Sequence, residues 1–110
     1  MALSHAQPLD VVDVRPLGAT LRDAVTTSLI KTPSLQLMRL VLGAGHGLPT
    51  HSVAGAITVH CIEGEAIVTT PSRTCRLLAG QLVMLAGGEP HAVQSVTDAS
   101  LLVTVLLHTT

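Results

Sequence analysis

Short apolar runs, cut roughly every eight to twelve residues by Gly, Pro, Ser or Asp, set the rhythm of this chain and leave little room for helices. Val11–Val14 and Ser34–Leu42 are two such runs. Ala56–Ile62, a turn at Glu63-Gly64-Glu65, and Ala66–Thr70 follow. Pro71-Ser72 precedes Arg73–Leu78, and Leu82–Leu85, His91–Val96 and Ser100–Leu107 complete the set. The best helical stretch, Leu17–Val25, is short and contains Gly18. Strands of this length with such frequent turns predict an all-β sandwich or barrel. Leu101–Leu107 is apolar on both faces, which in a small chain predicts cover by another subunit.

The length, 110 residues, predicts a single domain over 1–110, with residues 1–7 loose. Hydrophobic residues make up 47% and charged residues 12%, which excludes a disordered chain. Phe, Tyr and Trp are all absent, so the core must be Leu, Val, Ile and Ala. The same absence removes an aromatic platform for bases, an aromatic cage for a quaternary ammonium, and a tyrosine acid or base. Six Lys and Arg are scattered among seven Asp and Glu, so no footprint for nucleic acid or an anionic membrane is expected. The apolar stretch at Leu101–Leu107 is too short to span a bilayer. The start, Met1-Ala2-Leu3-Ser4-His5, lacks the basic and apolar regions of a secretory signal. The expectation is a cytoplasmic protein with Cys61 and Cys75 as free thiols.

Histidine is abundant, and His46, His51, His60 and His91 fall in the central β region. Neutral imidazole is a ligand for Zn, Fe, Ni, Mn or Cu, and histidine titrates near neutrality. The segment Gly43 to His51 is a Gly/Pro-rich loop leading into a strand, and Ala86-Gly87-Gly88-Glu89-Pro90-His91 is a second. Two histidines delivered from loop to strand converge at the mouth of a small barrel, a frequent place for ligands.

From Gly45 to Ser95 the chain resembles the two-motif core of the cupin family. The first motif is Gly, five residues, His-x-His, three or four residues, Glu, six residues, Gly; here Gly45, His51 and Gly64 match, with Val53 and Ile57 in place of His and Glu. The second is Gly, five residues, Pro-x-Gly, two residues, His, three residues, Asn; here Gly80, Gly88 and His91 match, with Ala86 and Ser95 as departures. The resemblance implies a double-stranded β-helix, or jelly-roll barrel, with a divalent metal (Fe, Mn, Ni or Zn) inside. It also implies a homodimer, with the strand around Val11–Val14 joining the partner's sheet.

The departures bear on function. Of the family's three histidines and one glutamate, only His51 and His91 stand at matching positions. Val53 and Ile57 cannot bind a metal, and two protein ligands are fewer than the three of most catalytic sites. His60 is one candidate to complete the shell, although strict alternation places it opposite Ile57, Val59 and Cys61. It is read equally as a strand histidine at an interface or bonded to backbone. His46 is the other candidate, with an ordinary loop histidine as the plainer reading. His51 and His91 themselves are read either as ligands of a metal or as mouth residues holding water or a small anion. Cys61 could offer a thiolate, but a small core residue is the simpler reading. Glu63 and Glu89 read as solvent-exposed turn residues. His5 and His108 lie near the termini and are expected to take no part.

The predicted cavity wall is aliphatic, with Leu37, Val53, Ile57, Val59, Leu82 and Met84 as candidates. Arg39, alone in an apolar strand, either lines the cavity to hold a substrate carboxylate or serves at an edge or interface. Three functions follow: a metal-dependent oxygenase or isomerase of small molecules, a non-catalytic small-molecule-binding or sensor module, and a structural barrel whose site has decayed.

Overall fold

A computed structural model describes residues 5–107. His108 and residues 1–4 of the segment expected to be loose lie outside the described residues. The described chain forms nine strands: β1 (Thr27–Lys31), β2 (Leu35–Leu42), β3 (Gly47–His51), β4 (Ile57–Glu63), β5 (Glu65–Thr69), β6 (Thr74–Leu78), β7 (Leu82–Leu85), β8 (His91–Ser95) and β9 (Ala99–Leu106). They make a five-stranded sheet in the order β1-β2-β9-β4-β7 and a four-stranded sheet in the order β3-β8-β5-β6, every pairing antiparallel. The chain crosses repeatedly from one sheet to the other, which is the jelly-roll way of closing a β barrel.

Alternation along the strands decides what fills the space between the sheets. In β4, Ile57, Val59 and Cys61 point inward, and in β9 Leu101, Val103 and Val105 do. Ala66 and Val68 of β5 and Val93 of β8 meet them from the other sheet. Each fully buried Val, Leu or Ile contributes roughly 1.5–3 kcal/mol. Sheets packed face to face stand about 10 Å apart. Aliphatic side chains close that gap around Leu101 and Cys61, and one end, with no aromatic ring to fill it, stays hollow.

Turn chemistry holds the register. Gly64 alone joins β4 to β5 at φ +84°, and a Cβ there would overlap the Asp98 carbonyl oxygen. The expected strands from β4 to β9 are present within a residue or two of their predicted limits. Two others were not legible. Thr27–Lys31 is a mixed polar edge strand, and Gly47–His51 is exposed throughout, with Pro49 at a register shift on a sheet edge. Val11–Val14 is not a strand in the described chain: it has no partner edge, and Leu9 and Val11 are almost wholly exposed. Leu17–Val25 contains a 3-10 helix, Gly18–Asp23, with Leu21 buried.

Glu63 ties this N-terminal segment to the sheet. Its carboxylate accepts hydrogen bonds from the Leu17 N–H (2.8 Å), the Gly18 N–H (3.0 Å) and the Ser100 hydroxyl (2.6 Å). Burial alone would push the Glu63 carboxyl up; the three hydrogen bonds and the nearby Arg39 charge outweigh it and hold the group below its ordinary value. Glu63 is therefore an anchor rather than the free turn residue its place beside Gly64 suggests. The outward face of β9 is covered at Ser100, half-covered at Leu102 and Thr104, and open at Leu106.

Candidate functional site

The hollow end is a cavity of about 290 Å³ between the sheets. Met38 and Leu40 of β2, Val59 of β4, Val93 of β8 and Val103 and Val105 of β9 form its walls. The loop between β3 and β4 borders it with Val53, Ala54 and Gly55. Among the described residues no Lys, Arg, Asp or Glu lines the space. Its polar side chains are Gln36, His51 and His91, and the Gln36 amide nitrogen donates to the Ser28 hydroxyl at 3.1 Å.

His51 ends β3 and His91 begins β8, and the two are Cα partners across the sheet. Their ring centroids lie 4.4 Å apart with an interplanar angle of 57°. His91 is buried, at 4% exposure, while His51 stands at the exposed rim. Each ring is held in the same way. The His51 Nδ1 meets the Pro49 carbonyl oxygen at 3.1 Å, and the His91 Nδ1 meets the Glu89 carbonyl oxygen at 3.0 Å. A carbonyl oxygen only accepts, so Nδ1 carries the proton in both rings and a neutral ring keeps a bare lone pair on Nε2. A histidine bonded to the carbonyl two residues earlier thus occurs twice, the two facing each other across one ladder.

A divalent metal needs more than this. Among the described residues no third His, Cys, Asp or Glu joins the pair to make a ligand set. Val53 and Ile57 line the cavity and offer only methyl groups. Two imidazoles do not fit a resident transition metal, for which three or more protein donors are usual.

The other expected site residues lie elsewhere. His60 is on the face of β4 opposite Ile57 and Val59, where no bulge re-aims it: its register with Leu82 and Leu102 is regular. His46 sits in the exposed turn before β3, where its N–H bonds the Gly43 carbonyl at 2.9 Å, and it does not line the cavity. Arg39 does not line it either: Met38 and Leu40 do, so the residue between them points to the outer face, 6% exposed and near Glu63 and Asp13. Parity also displaces three expected wall residues, since Leu37 is next to Met38, and Leu82 and Met84 project outward and exposed from β7. Cys61 lies on the core face below the cavity; its thiol donates to the carbonyls of Glu63 (3.5 Å) and Gly64 (3.4 Å), and burial pushes it up. Cys61 and Cys75 are free thiols.

Of the loop beside the mouth, Val53 was anticipated as a wall residue, and Ala54 and Gly55 were not. The Gly88 N–H donates to the Val53 carbonyl at 2.7 Å, and a Cβ on Gly87 would strike the Ala54 carbonyl oxygen. The sequence signal was the Gly87-Gly88 pair: these glycines let one mouth loop lie directly on the other.

Comparison with known proteins identifies the architecture. No protein-family model matches the chain, and neither does any curated protein sequence. Among solved structures, a conserved protein of unknown function from Streptococcus pyogenes is similar at TM-score 0.78 and 23% identity, covering 100% of both chains. A cupin superfamily protein from Desulfitobacterium hafniense is similar at TM-score 0.78 and 16% identity, covering 94% of this chain and 100% of that one. Salicylate 1,2-dioxygenase from Pseudoaminobacter salicylatoxidans, in a structure described as adducts with gentisate, is similar at TM-score 0.67 and 20% identity, covering 73% of this chain and 24% of that one.

Proposed function

Starting from a chain that has the all-β cupin fold, we propose that it is a small-molecule-binding protein whose ligand occupies the cavity beside His51 and His91. The observation that carries this reading is the pairing of an apolar cavity of about 290 Å³ with two imidazoles that touch at its wall. Pockets of this size and composition take small organic molecules, with a few polar groups fixing orientation. A metal-dependent oxygenase or isomerase is the other reading, and the likeness in fold to the dioxygenase suggests it. The donor set does not support it, because Val53 and Ile57 occupy the places from which further ligands would come.

The expected homodimer belongs to the same proposal. Leu9, Val11, Leu82 and Met84 are exposed apolar side chains that a second copy would cover. Sedimentation equilibrium of the full chain checks it, a monomer at all concentrations being the contrary result.

The binding reading is tested by methyl NMR of the full chain titrated with methylcyclohexane, alongside elemental analysis of protein purified without a nickel column. Saturable shifts at Val59, Val93 and Val103, abolished by the cavity-filling Val103→Phe, are expected, with no stoichiometric Fe, Mn, Ni or Zn. Shifts confined to other methyls, or one metal per chain that is lost in both His51→Ala and His91→Ala, would overturn the reading.

A further inference from the structure

The two imidazoles and the missing charges together specify a kind of ligand. Both Nδ1 protons are committed to backbone carbonyls, of Pro49 and of Glu89, so the rings meet a ligand through Nε2. A bare Nε2 accepts a hydrogen bond and does not donate one. The third polar side chain, Gln36, spends one of its two amide hydrogens on Ser28 and keeps the other. Among the described residues, the His51–His91 end of the cavity therefore offers a ligand acceptors and no donor.

Among the described residues no Lys or Arg lines the cavity either. The guanidinium that might have held an acidic ligand, Arg39, is on the outer face of the five-stranded sheet. An anion entering the cavity would lose its hydration and gain no counter-charge, and its oxygens would face lone pairs. A hydroxyl or N–H entering the same place gains an acceptor, and its apolar remainder covers the Val and Leu walls. Resting on the binding reading above, we infer that the ligand is a small, neutral, largely apolar molecule carrying a hydroxyl or N–H donor directed at His51 and His91, and that carboxylates and phosphates are excluded.

Three probes of matched shape separate this from simple hydrophobic filling: cyclohexanol, methoxycyclohexane and cyclohexanecarboxylate, with methylcyclohexane as the baseline. Binding to the full chain is followed by methyl NMR. One net hydrogen bond predicts cyclohexanol about tenfold tighter than methylcyclohexane or methoxycyclohexane. Cyclohexanecarboxylate should bind more weakly than all three. In the double variant His51→Phe/His91→Phe the advantage of cyclohexanol should vanish while methylcyclohexane still binds; if the buried ring change unfolds the chain, His51→Phe alone gives the same comparison at the rim. Equal affinity for all neutral probes overturns the donor inference and leaves the cavity reading standing. Tighter binding of the carboxylate overturns it too. If no probe shifts the cavity methyls, the binding reading itself fails and this inference with it.

Discussion

Replacing Glu63 by Ala tests how the N-terminal segment is held. The substitution removes the acceptor of the Leu17 and Gly18 N–H groups and of the Ser100 hydroxyl. Ser100 is completely buried, so its hydroxyl is left without water or partner, a loss of roughly 1–3 kcal/mol. The two N–H groups lie nearer the surface and recover water, so each adds only about 0.5 kcal/mol. Arg39 also loses a neighbouring negative charge, while its Nη1 already has no hydrogen-bond partner among the described residues. The sum is about 2–4 kcal/mol at neutral pH. Glu63→Gln keeps one acceptor oxygen and should lose about half of that. Far-UV circular dichroism in urea is the assay, because a chain without Trp, Tyr or Phe gives no aromatic signal. The pH dependence has a definite sign. The folded carboxyl titrates below its ordinary value of 4.5, so its contribution is complete above that value and is lost as pH falls through the folded one. Wild type should weaken on acidification through this window, and Glu63→Gln should lack that component. An unfolding midpoint unchanged in Glu63→Ala, or an identical acid limb in Glu63→Gln, would refute the reasoning.

Other perturbations read other parts of the molecule. Leu101→Ala, at a fully buried inward position of β9, should cost roughly 3–4 kcal/mol in the same urea assay. Gly87→Ala drives a Cβ into the Ala54 carbonyl oxygen and should cost at least about 2–3 kcal/mol, whereas Gly88→Ala meets nothing within 4 Å and bears only the strain of φ +81°, about 1 kcal/mol. Native protein should react at Cys75 with a thiol reagent such as dithionitrobenzoate and not at Cys61, whose thiol is buried and shifted up; both should react in denaturant. Val53→His/Ile57→Glu should convert the cavity to a stoichiometric nickel or zinc site, detected by calorimetry, since both positions line it beside the two histidines.

The site was legible where glycine spacing and strand alternation agreed. His51 and His91 are far apart in sequence, and the motif spacing around Gly45, Gly64, Gly80 and Gly88 was enough to bring their side chains to one cavity. Alternation correctly set His60 away from Ile57. It misplaced Leu37, Leu82 and Met84 as wall residues, because a strand apolar on both faces does not reveal which parity looks inward. Arg39 shows the ambiguity best: a charge in an apolar strand marks an inner ligand group or an outer anchor equally well. The exposed edge β3 was read as loop because Pro49 and Gly47 weaken any strand signal. Glu63 looked like a solvated turn residue, since its partners, Leu17, Gly18 and Ser100, are remote in sequence.

The imidazole nitrogen shifts of His51 and His91, recorded by long-range nitrogen–proton correlation with and without cyclohexanol, bear most directly on the site. The account predicts both rings protonated at Nδ1, with an unprotonated Nε2 that moves when the alcohol is added. Rings protonated at Nε2, or Nε2 signals indifferent to the alcohol while the cavity methyls respond, would contradict it.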